Sequence, residues 1–479
     1  MKKIYMALGM ALSLALTSCS DFLDKEPSTS LPSGEAITSV KDLRNAINGV
    51  CYYLIENGRM GYASEFGLYG DLRCNDFKEI DSQGQTSGIS KYVNTGNDYP
   101  STDSYETFYA ALANVNNALE TIEAGKVEGD ADEIDNYKGQ LLAWRGLLHF
   151  DLARIFCKIP TTVANPSNEL GLVISDKVFP TEYKGIRTDL KTTYDDIVTW
   201  LSDAILLLDE DNGVGYINRA TALALRARAY LYMGDYTNAL KDAKDVIDNS
   251  GYSLLGISNY VASWGKEDQD ESIFEITLTE KSNPQRYGIG YYCDATGYPE
   301  CGFDTNGYLF KYLMANPKDV RSKLVKNQTD EDAYESAAGY YPNKYPGRDG
   351  SIYVNNPKIV RLSEMYLIAA EAQWHLDNQS ATINVNATSE DAADYINALN
   401  QKRITDYTDV DKVSLTDILH AWEIEMFCEN QITYAYWRNK QSVTSTTGQE
   451  IKYDDYRVLQ PIPQSECDYN KELQQNPEY

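Results

Sequence analysis

The sequence predicts a mainly α-helical fold built on helix pairs, with long loops and a few short strands. Two observations support this prediction. Apolar residues recur at three- and four-residue spacing through most of the 479 residues, as they do along one face of a helix. In addition, residues 219–255 carry the small and aromatic residues of a tetratricopeptide-type helix pair.

Amphipathic helices account for most of the first half of the chain. One apolar face repeats through residues 40–56, and Ser39 and Asp42 are spaced as a capping pair before it. The same periodicity predicts three more helices, over 104–123, 135–157 and 188–208. The helix over 135–157 ends before Pro160, since proline cannot continue a helix.

Two helix pairs are predicted in the second half. Residues 219–255 form two helices that meet at Gly234, and alanines at their contact let the two backbones approach closely. The stretch from Arg361 predicts a second pair, with its partner helix over 389–404. Such pairs form a scaffold that presents a surface, and they imply no chemistry by themselves.

One strand and two long irregular segments interrupt the helical pattern. Residues 272–278 alternate apolar and polar side chains and predict a strand. Residues 81–104 and 281–307 are longer than the usual connection between helices, and loops of that length often carry function. The second segment holds four tyrosines among glycines: Tyr287, Tyr291, Tyr292 and Tyr298. It is either a packed surface loop or an aromatic platform for a ligand.

The N-terminus has the pattern of an export signal that ends in a lipid-attachment cysteine. Its apolar run is too short to span a bilayer. Leu16 and two small residues then precede Cys19. Residues 1–18 are therefore predicted to be a signal peptide, and Cys19 to be acylated after cleavage. The alternative is an ordinary secretory signal that places a cysteine near its end.

The composition excludes one class of partner. The chain has 43 basic and 71 acidic residues, which give a formal net charge of −28. Nucleic acid is excluded, because phosphate binding needs a basic patch and no basic run is present. Tyrosine is abundant, with 38 residues against 11 phenylalanines. Its ring suits both core packing and ligand stacking, since it combines an apolar face with a hydroxyl group.

The sequence contains no motif of an enzyme active site or a metal centre. Its three histidines lie in separate predicted helices, and it has no nucleophile elbow, zinc-protease motif, phosphate-binding loop or CxxC pair. We therefore predict no catalytic residue, no cofactor and no metal. Cys293 and Cys301 flank one glycine-rich loop, and spacing leaves open whether a disulfide joins them. Carboxylate pairs among so many acids also leave glycosidase chemistry open.

Several stretches resemble the SusD/RagB family of surface lipoproteins, which belong to starch-utilisation-type glycan uptake systems. The stretches are the residues after Cys19, an arginine-containing helix over 143–160, the helix pair at 219–255, the helix from Ile359 and the segment from Pro461. The last stretch is the most specific, with Pro-Ile-Pro-x-x-Glu and a final Gln-Asn-Pro-x-Tyr. The preceding helix departs from the family pattern, because Ala421, Trp422 and Glu423 replace Glu-Arg-Arg.

The resemblance implies a non-catalytic protein on the outer face of the outer membrane. Such a protein binds oligosaccharide and passes it to a TonB-dependent, SusC-like transporter. The glycan site is then expected in regions 71–99 and 287–298. Candidate contacts there are Asp71, Arg73, Tyr92, Tyr99, Tyr287, Tyr291, Tyr292 and Tyr298. A surface-anchored glycoside hydrolase and the same fold binding peptides are the alternatives. After the signal peptide, regions 19–215 and 216–479 are expected to form one compact unit.

Overall fold

The computed structural model describes residues 36–56, 59–81, 84–329, 337–380 and 382–479, and it confirms the mainly helical fold. The signal peptide and Cys19 lie outside these residues. In chain order the helices are α1 Val40–Glu56, α2 Glu65–Leu68, α3 Ser87–Ser90, α4 Tyr99–Glu123, α5 Ala131–Phe156, α6 Leu190–Leu207, α7 Arg219–Met233, α8 Tyr236–Asn249, α9 Ile257–Ser263, α10 Ile289–Tyr292, α11 Tyr308–Ala315, α12 Leu362–Asp377, α13 Asp391–Gln401, α14 Leu415–Met426, α15 Ile432–Arg438 and α16 Gln464–Tyr469. The strands are β1 Phe77–Lys78, β2 Ser272–Glu275, β3 Gly302–Phe303, β4 Val325–Gln328, β5 Gly339–Pro342, β6 Lys358–Arg361, β7 Thr388–Ser389, β8 Val413–Ser414, β9 Val443–Thr444 and β10 Glu450–Ile451.

The first helices begin where local chemistry allows a helix to start. At α1 the Ser39 amide donates to Asp42 Oδ2 at 3.0 Å and the Asp42 amide donates to Ser39 Oγ at 3.4 Å, which confirms the predicted capping pair. Helix α4 begins at Tyr99 and not at 104, because Pro100 fits the first turn of a helix. The irregular segment 81–104 is therefore shorter than predicted, and it contains α3.

The two predicted helix pairs are present and pack together. Helices α7 and α8 turn at Gly234, whose φ of 76° is a left-handed conformation that suits glycine. Helices α12 and α13 form the second pair, and α12 also packs against α8. A buried ion pair links α7 to α12, with Arg228 Nε 2.6 Å from Glu364 Oε1.

The strand pairs β1–β3 and β2–β6 are antiparallel and join segments that are distant in sequence. Phe77 of β1 lies opposite Phe303 of β3, and their stacked rings are 5.4 Å apart. Near this pair, Glu300 accepts bonds from the Thr86 amide and the Thr86 hydroxyl, each at 3.0 Å. The two irregular segments that the sequence predicts therefore contact each other in the folded chain.

Strand β2 ends at Glu275, earlier than predicted, and pairs with β6.

A buried network of charged side chains centres on Glu425 of α14. Three guanidinium groups contact this carboxylate: Arg361 at 3.0 Å, Arg403 at 2.9 Å and Arg321 at 3.1 Å. Burial alone would raise the pKa of Glu425, but the three arginines outweigh it and hold that pKa well below its usual value. The network therefore links chain segments spread over the C-terminal half.

The C-terminal motif bonds back onto the end of α5. Asn476 Nδ2 donates to the carbonyl oxygens of Phe156 at 2.9 Å and of Gln460 at 2.7 Å. Tyr479 donates its hydroxyl to the Leu459 carbonyl at 2.9 Å. The most specific sequence motif thus has a structural role in this chain.

Candidate functional site

Residues 281–307 fold into a compact loop that carries half-exposed tyrosines. The Tyr298 amide donates to the Tyr291 carbonyl at 2.9 Å. Gly297 permits this turn, because a Cβ at that position would collide with the same carbonyl oxygen. The Tyr291 and Tyr298 rings consequently meet edge to face, with centroids 5.1 Å apart.

A third tyrosine comes from a different segment. The Tyr353 ring lies 5.5 Å from that of Tyr291. Gly290 allows the approach, since a Cβ there would lie 2.6 Å from the Ile352 carbonyl oxygen. Nothing in the sequence spacing connects Tyr353 with the 281–307 loop, so this contact could not be predicted from the sequence.

Arg286 adds a cation beside these phenols. Its pKa is raised by a hydrogen bond with Tyr298 and by the nearby phenols of Tyr291, Tyr298 and Tyr353. The side chain itself is exposed. Arg286 was not among the residues predicted from the sequence, although its position directly before Tyr287 was a usable signal.

Arg59 and two more tyrosines continue the surface. The Arg59 guanidinium lies over the Tyr99 ring at 3.7 Å and over the Tyr287 ring at 5.4 Å. It also donates to the Gln85 carbonyl at 2.6 Å, so its orientation is fixed. Tyr287 is 43% exposed. We call the set Tyr287, Tyr291, Tyr298 and Tyr353, with Arg59 and Arg286, the tyrosine platform.

The buried carboxyl group of Glu65 bonds Arg59 of the platform and two further tyrosines. Glu65 accepts bonds from Arg59 Nε at 2.8 Å, from the Tyr292 hydroxyl at 2.7 Å and from the Tyr99 hydroxyl. Burial raises the pKa of Glu65 to about 7, and the bonds from its three partners only partly offset that effect. Tyr99 and Tyr292 are therefore held in place by their hydroxyl groups.

Four predicted contact residues belong to the interior, which corrects the sequence interpretation. Asp71 accepts from the backbone amides of Asn430 at 2.7 Å and Ile432 at 3.1 Å. The remaining three bond to interior partners: Arg73 to Val458 O, Tyr92 to Arg73 O and Tyr292 to Glu65. All four are at most 7% exposed, so they offer a ligand no surface. Residue type and spacing could not reveal this burial.

The structure also brings together three thiols. Cys293, Cys301 and Cys428 are buried and free, and their Sγ atoms all lie within 4.8 Å of one another. Cys293 and Cys301 are both free thiols, so the structure shows no disulfide between them, a pairing that the sequence left open. The third thiol comes from the turn after α14, and sequence spacing gave no sign of it.

Comparisons with known proteins identify the family. A SusD-like family model, described as starch-binding and associating with the outer membrane, matches residues 21–231. The SusD family model matches residues 291–479. A SusD superfamily protein of Bacteroides thetaiotaomicron is 30% identical, with a TM-score of 0.82, over 92% of this chain and 100% of its own. The chain belongs to the SusD family.

Other SusD-type relatives extend over most of the chain. SusD-like protein P2 of Formosa agariphila is 26% identical over 441 residues, 84% of this chain and 82% of that protein. A SusD-like carbohydrate-binding protein of Bacteroides vulgatus shares the fold at 21% identity, with a TM-score of 0.73, over 91% of this chain and 98% of its own. Among the residues that the structure describes, no helix is long and apolar enough to cross a membrane.

Proposed function

We propose that this protein is a non-catalytic, surface-anchored lipoprotein that binds oligosaccharide at the tyrosine platform and passes it to a TonB-dependent, SusC-like transporter. The observation that carries the binding proposal is the convergence of four half-exposed or exposed tyrosines with two guanidinium groups. Family membership supports the carbohydrate class, since the matched family model is described as starch-binding.

The chemistry of the platform suits a glycan. The apolar face of a sugar ring packs on an aromatic face, and each phenol also offers a hydroxyl group to bond sugar hydroxyls. Guanidinium groups add several fixed donors. Glu65 orients Arg59 through a hydrogen bond before the ligand arrives. Gly290 and Gly297 allow the platform tyrosines to pack closely, which reduces the entropy lost on binding.

The first test removes two rings of the platform. We expect the double substitution Tyr291→Ala and Tyr353→Ala to weaken glycan binding about tenfold or more, because each aromatic contact contributes about 1 kcal/mol. Binding is measured by electrophoretic retardation in polysaccharide gels and by calorimetry against a glycan panel. Tyr292 is left intact, because its buried bond to Glu65 makes it part of the fold.

Tyr183 provides the matched control for single substitutions. It is 42% exposed, close to the 43% of Tyr287, and it stacks on Phe179, which is not a platform residue. Tyr287→Ala should weaken binding while Tyr183→Ala leaves it unchanged. Equal binding by both variants and by the double variant would exclude the platform. Sustained release of reducing sugar by the purified protein would instead indicate a glycoside hydrolase.

The anchoring proposal rests on the sequence around Cys19 and on the family's association with the outer membrane. We expect Cys19→Ala to release the protein from the membrane fraction without changing its thermal unfolding, because acyl chains provide the attachment. Cys467→Ala, a half-buried cysteine of the folded part, is the control and should stay membrane-bound. Membrane retention of the Cys19→Ala variant would contradict the lipid anchor.

A further inference from the structure

Two cysteines of the 281–307 loop meet a third cysteine from a distant part of the chain. Cys293 directly follows α10, and Cys301 directly precedes β3. Cys428 lies in the turn between α14 and α15 and has a positive φ of 57°. The three side chains are at most 1% exposed, and all three are free thiols. The proposed glycan binding uses none of them.

Burial and mutual contacts shift the pKa values of the three thiols in different directions. Burial raises the pKa of each thiol, but bonds from Cys301 and Cys428, together with the charge of Lys326, lower the pKa of Cys293 to about 5. The pKa values of Cys301 and Cys428 are raised well above the ordinary range, chiefly by burial. The three thiols therefore interact at short range, in keeping with Sγ atoms that all lie within 4.8 Å of one another.

We propose that Cys293, Cys301 and Cys428 form a three-sulfur site for a thiophilic closed-shell cation, Zn²⁺ or Cu⁺. A metal–sulfur distance of about 2.3 Å separates the sulfurs of a tetrahedral or trigonal site by about 3.8 to 4.0 Å. The three Sγ atoms lie within 4.8 Å of one another, a range that includes this sulfur–sulfur distance. Thiolate ligands prefer these cations over Mg²⁺ or Ca²⁺, which take oxygen ligands.

A bound ion would join the platform loop to the turn after α14. Cys293 lies two residues from Tyr291, so the ion would fix the base of the loop that carries the platform. Because the site is buried, metal enters as the chain folds, and binding releases protons from the thiols. This site does not depend on glycan binding and is tested separately.

The test measures metal bound by the purified full chain. The protein is refolded anaerobically with Zn²⁺, with Cu⁺ or with neither, and bound metal is counted after gel filtration. We expect about one ion per chain and a higher melting temperature than for the metal-free protein. Co²⁺ replaces Zn²⁺ as a spectroscopic probe, and sulfur ligation produces an intense near-ultraviolet charge-transfer band.

Single serine substitutions locate the site. Cys293→Ser, Cys301→Ser and Cys428→Ser should each weaken metal binding about tenfold or more, and Cys157→Ser should not. Cys157 is a suitable control because it is equally buried and free but lies outside the cluster. A second measurement needs no variant: metal should slow alkylation of the three cluster thiols in the wild-type chain, while alkylation of Cys157 keeps its rate.

Three results would overturn the proposal. One is metal binding that the three serine variants retain, which would mean an adventitious ion only. The second is the absence of a bound ion and of any protection from alkylation in the wild-type chain. The third is a disulfide between two of the three cysteines in protein purified without oxidant, detected by the mass of the alkylated peptides.

Discussion

At the scale of single residues, Glu65 shows how burial alters an ordinary carboxyl group. Its side chain is fully buried, and the cost of desolvating the charge raises its pKa to about 7. In the unfolded chain the group has an ordinary pKa. Between these two values the folded protein retains a proton that the unfolded chain has released.

This difference predicts a pH dependence of stability. The folded-state pKa is the higher one, so the contribution is complete below about pH 4.5 and is lost as the pH rises through about 7. Glu65→Gln removes it. We expect the free energy of unfolding of wild type, relative to the variant, to fall by about 2 to 3 kcal/mol between pH 5 and pH 8. Urea unfolding at several pH values measures this, and a difference that grows with pH would contradict the buried neutral carboxyl group.

Other single residues show what sequence reasoning cannot reach. Asp71 and Arg73 have residue types suited to glycan hydroxyls, yet their polar atoms bond backbone groups in the interior. Tyr287 and Tyr291 differ from Tyr292 in exposure although they lie in one short segment. Helical geometry in α10 turns adjacent side chains to different faces, and packing against α2 decides which face is buried.

At the scale of elements, the helices follow from local sequence. Apolar periodicity predicted α1, α4, α5 and α6 with ends that differ by at most five residues from the observed ones. The turn between α7 and α8 was predicted at Gly234, where the structure has a left-handed residue. Local conformational preference is sufficient for such features, because caps and glycine turns depend on neighbours within a few residues.

Alanine substitutions at two glycines are expected to change the free energy of unfolding in opposite directions. Gly234→Ala should lower the free energy of unfolding by about 1 kcal/mol, because a Cβ disfavours the positive φ and would lie 3.3 Å from Thr161 Cγ2. Gly49→Ala, within α1 and with open space around a Cβ, should raise it by about 0.5 to 1 kcal/mol. Urea unfolding compares the two variants, and a loss of stability in both would contradict the assignment.

At the scale of the whole molecule, the network around Glu425 connects distant segments. Arg321, Arg361 and Arg403 reach this single carboxylate from three places in the chain, and all four side chains are buried. A buried network of charges stabilises the fold only while each charged group has a partner of opposite charge. Removal of the central charge leaves several guanidinium groups with too few partners.

Glu425→Gln should therefore be strongly destabilising. We expect the free energy of unfolding to fall by about 3 to 5 kcal/mol, with little dependence on salt, because the charges lie away from solvent. Asp406→Asn is the control, since Asp406 pairs with Lys318 at 3.1 Å on the surface, and its loss should cost about 0.5 kcal/mol or less. Chemical denaturation at two salt concentrations distinguishes the cases, and similar losses in both variants would show that the network does not act as a unit.

The sequence by itself determined the helical class, the helix pairs, the tyrosine-rich loop and the resemblance to the SusD family. These rest on periodicity and short motifs, which act over a few residues. Only the tertiary structure decided that Asp71 is buried, that Tyr353 reaches Tyr291, and that Cys428 joins Cys293 and Cys301. The burial of a side chain and the contacts between distant segments depend on how the whole chain packs. Both are determined by packing partners that the local sequence does not specify.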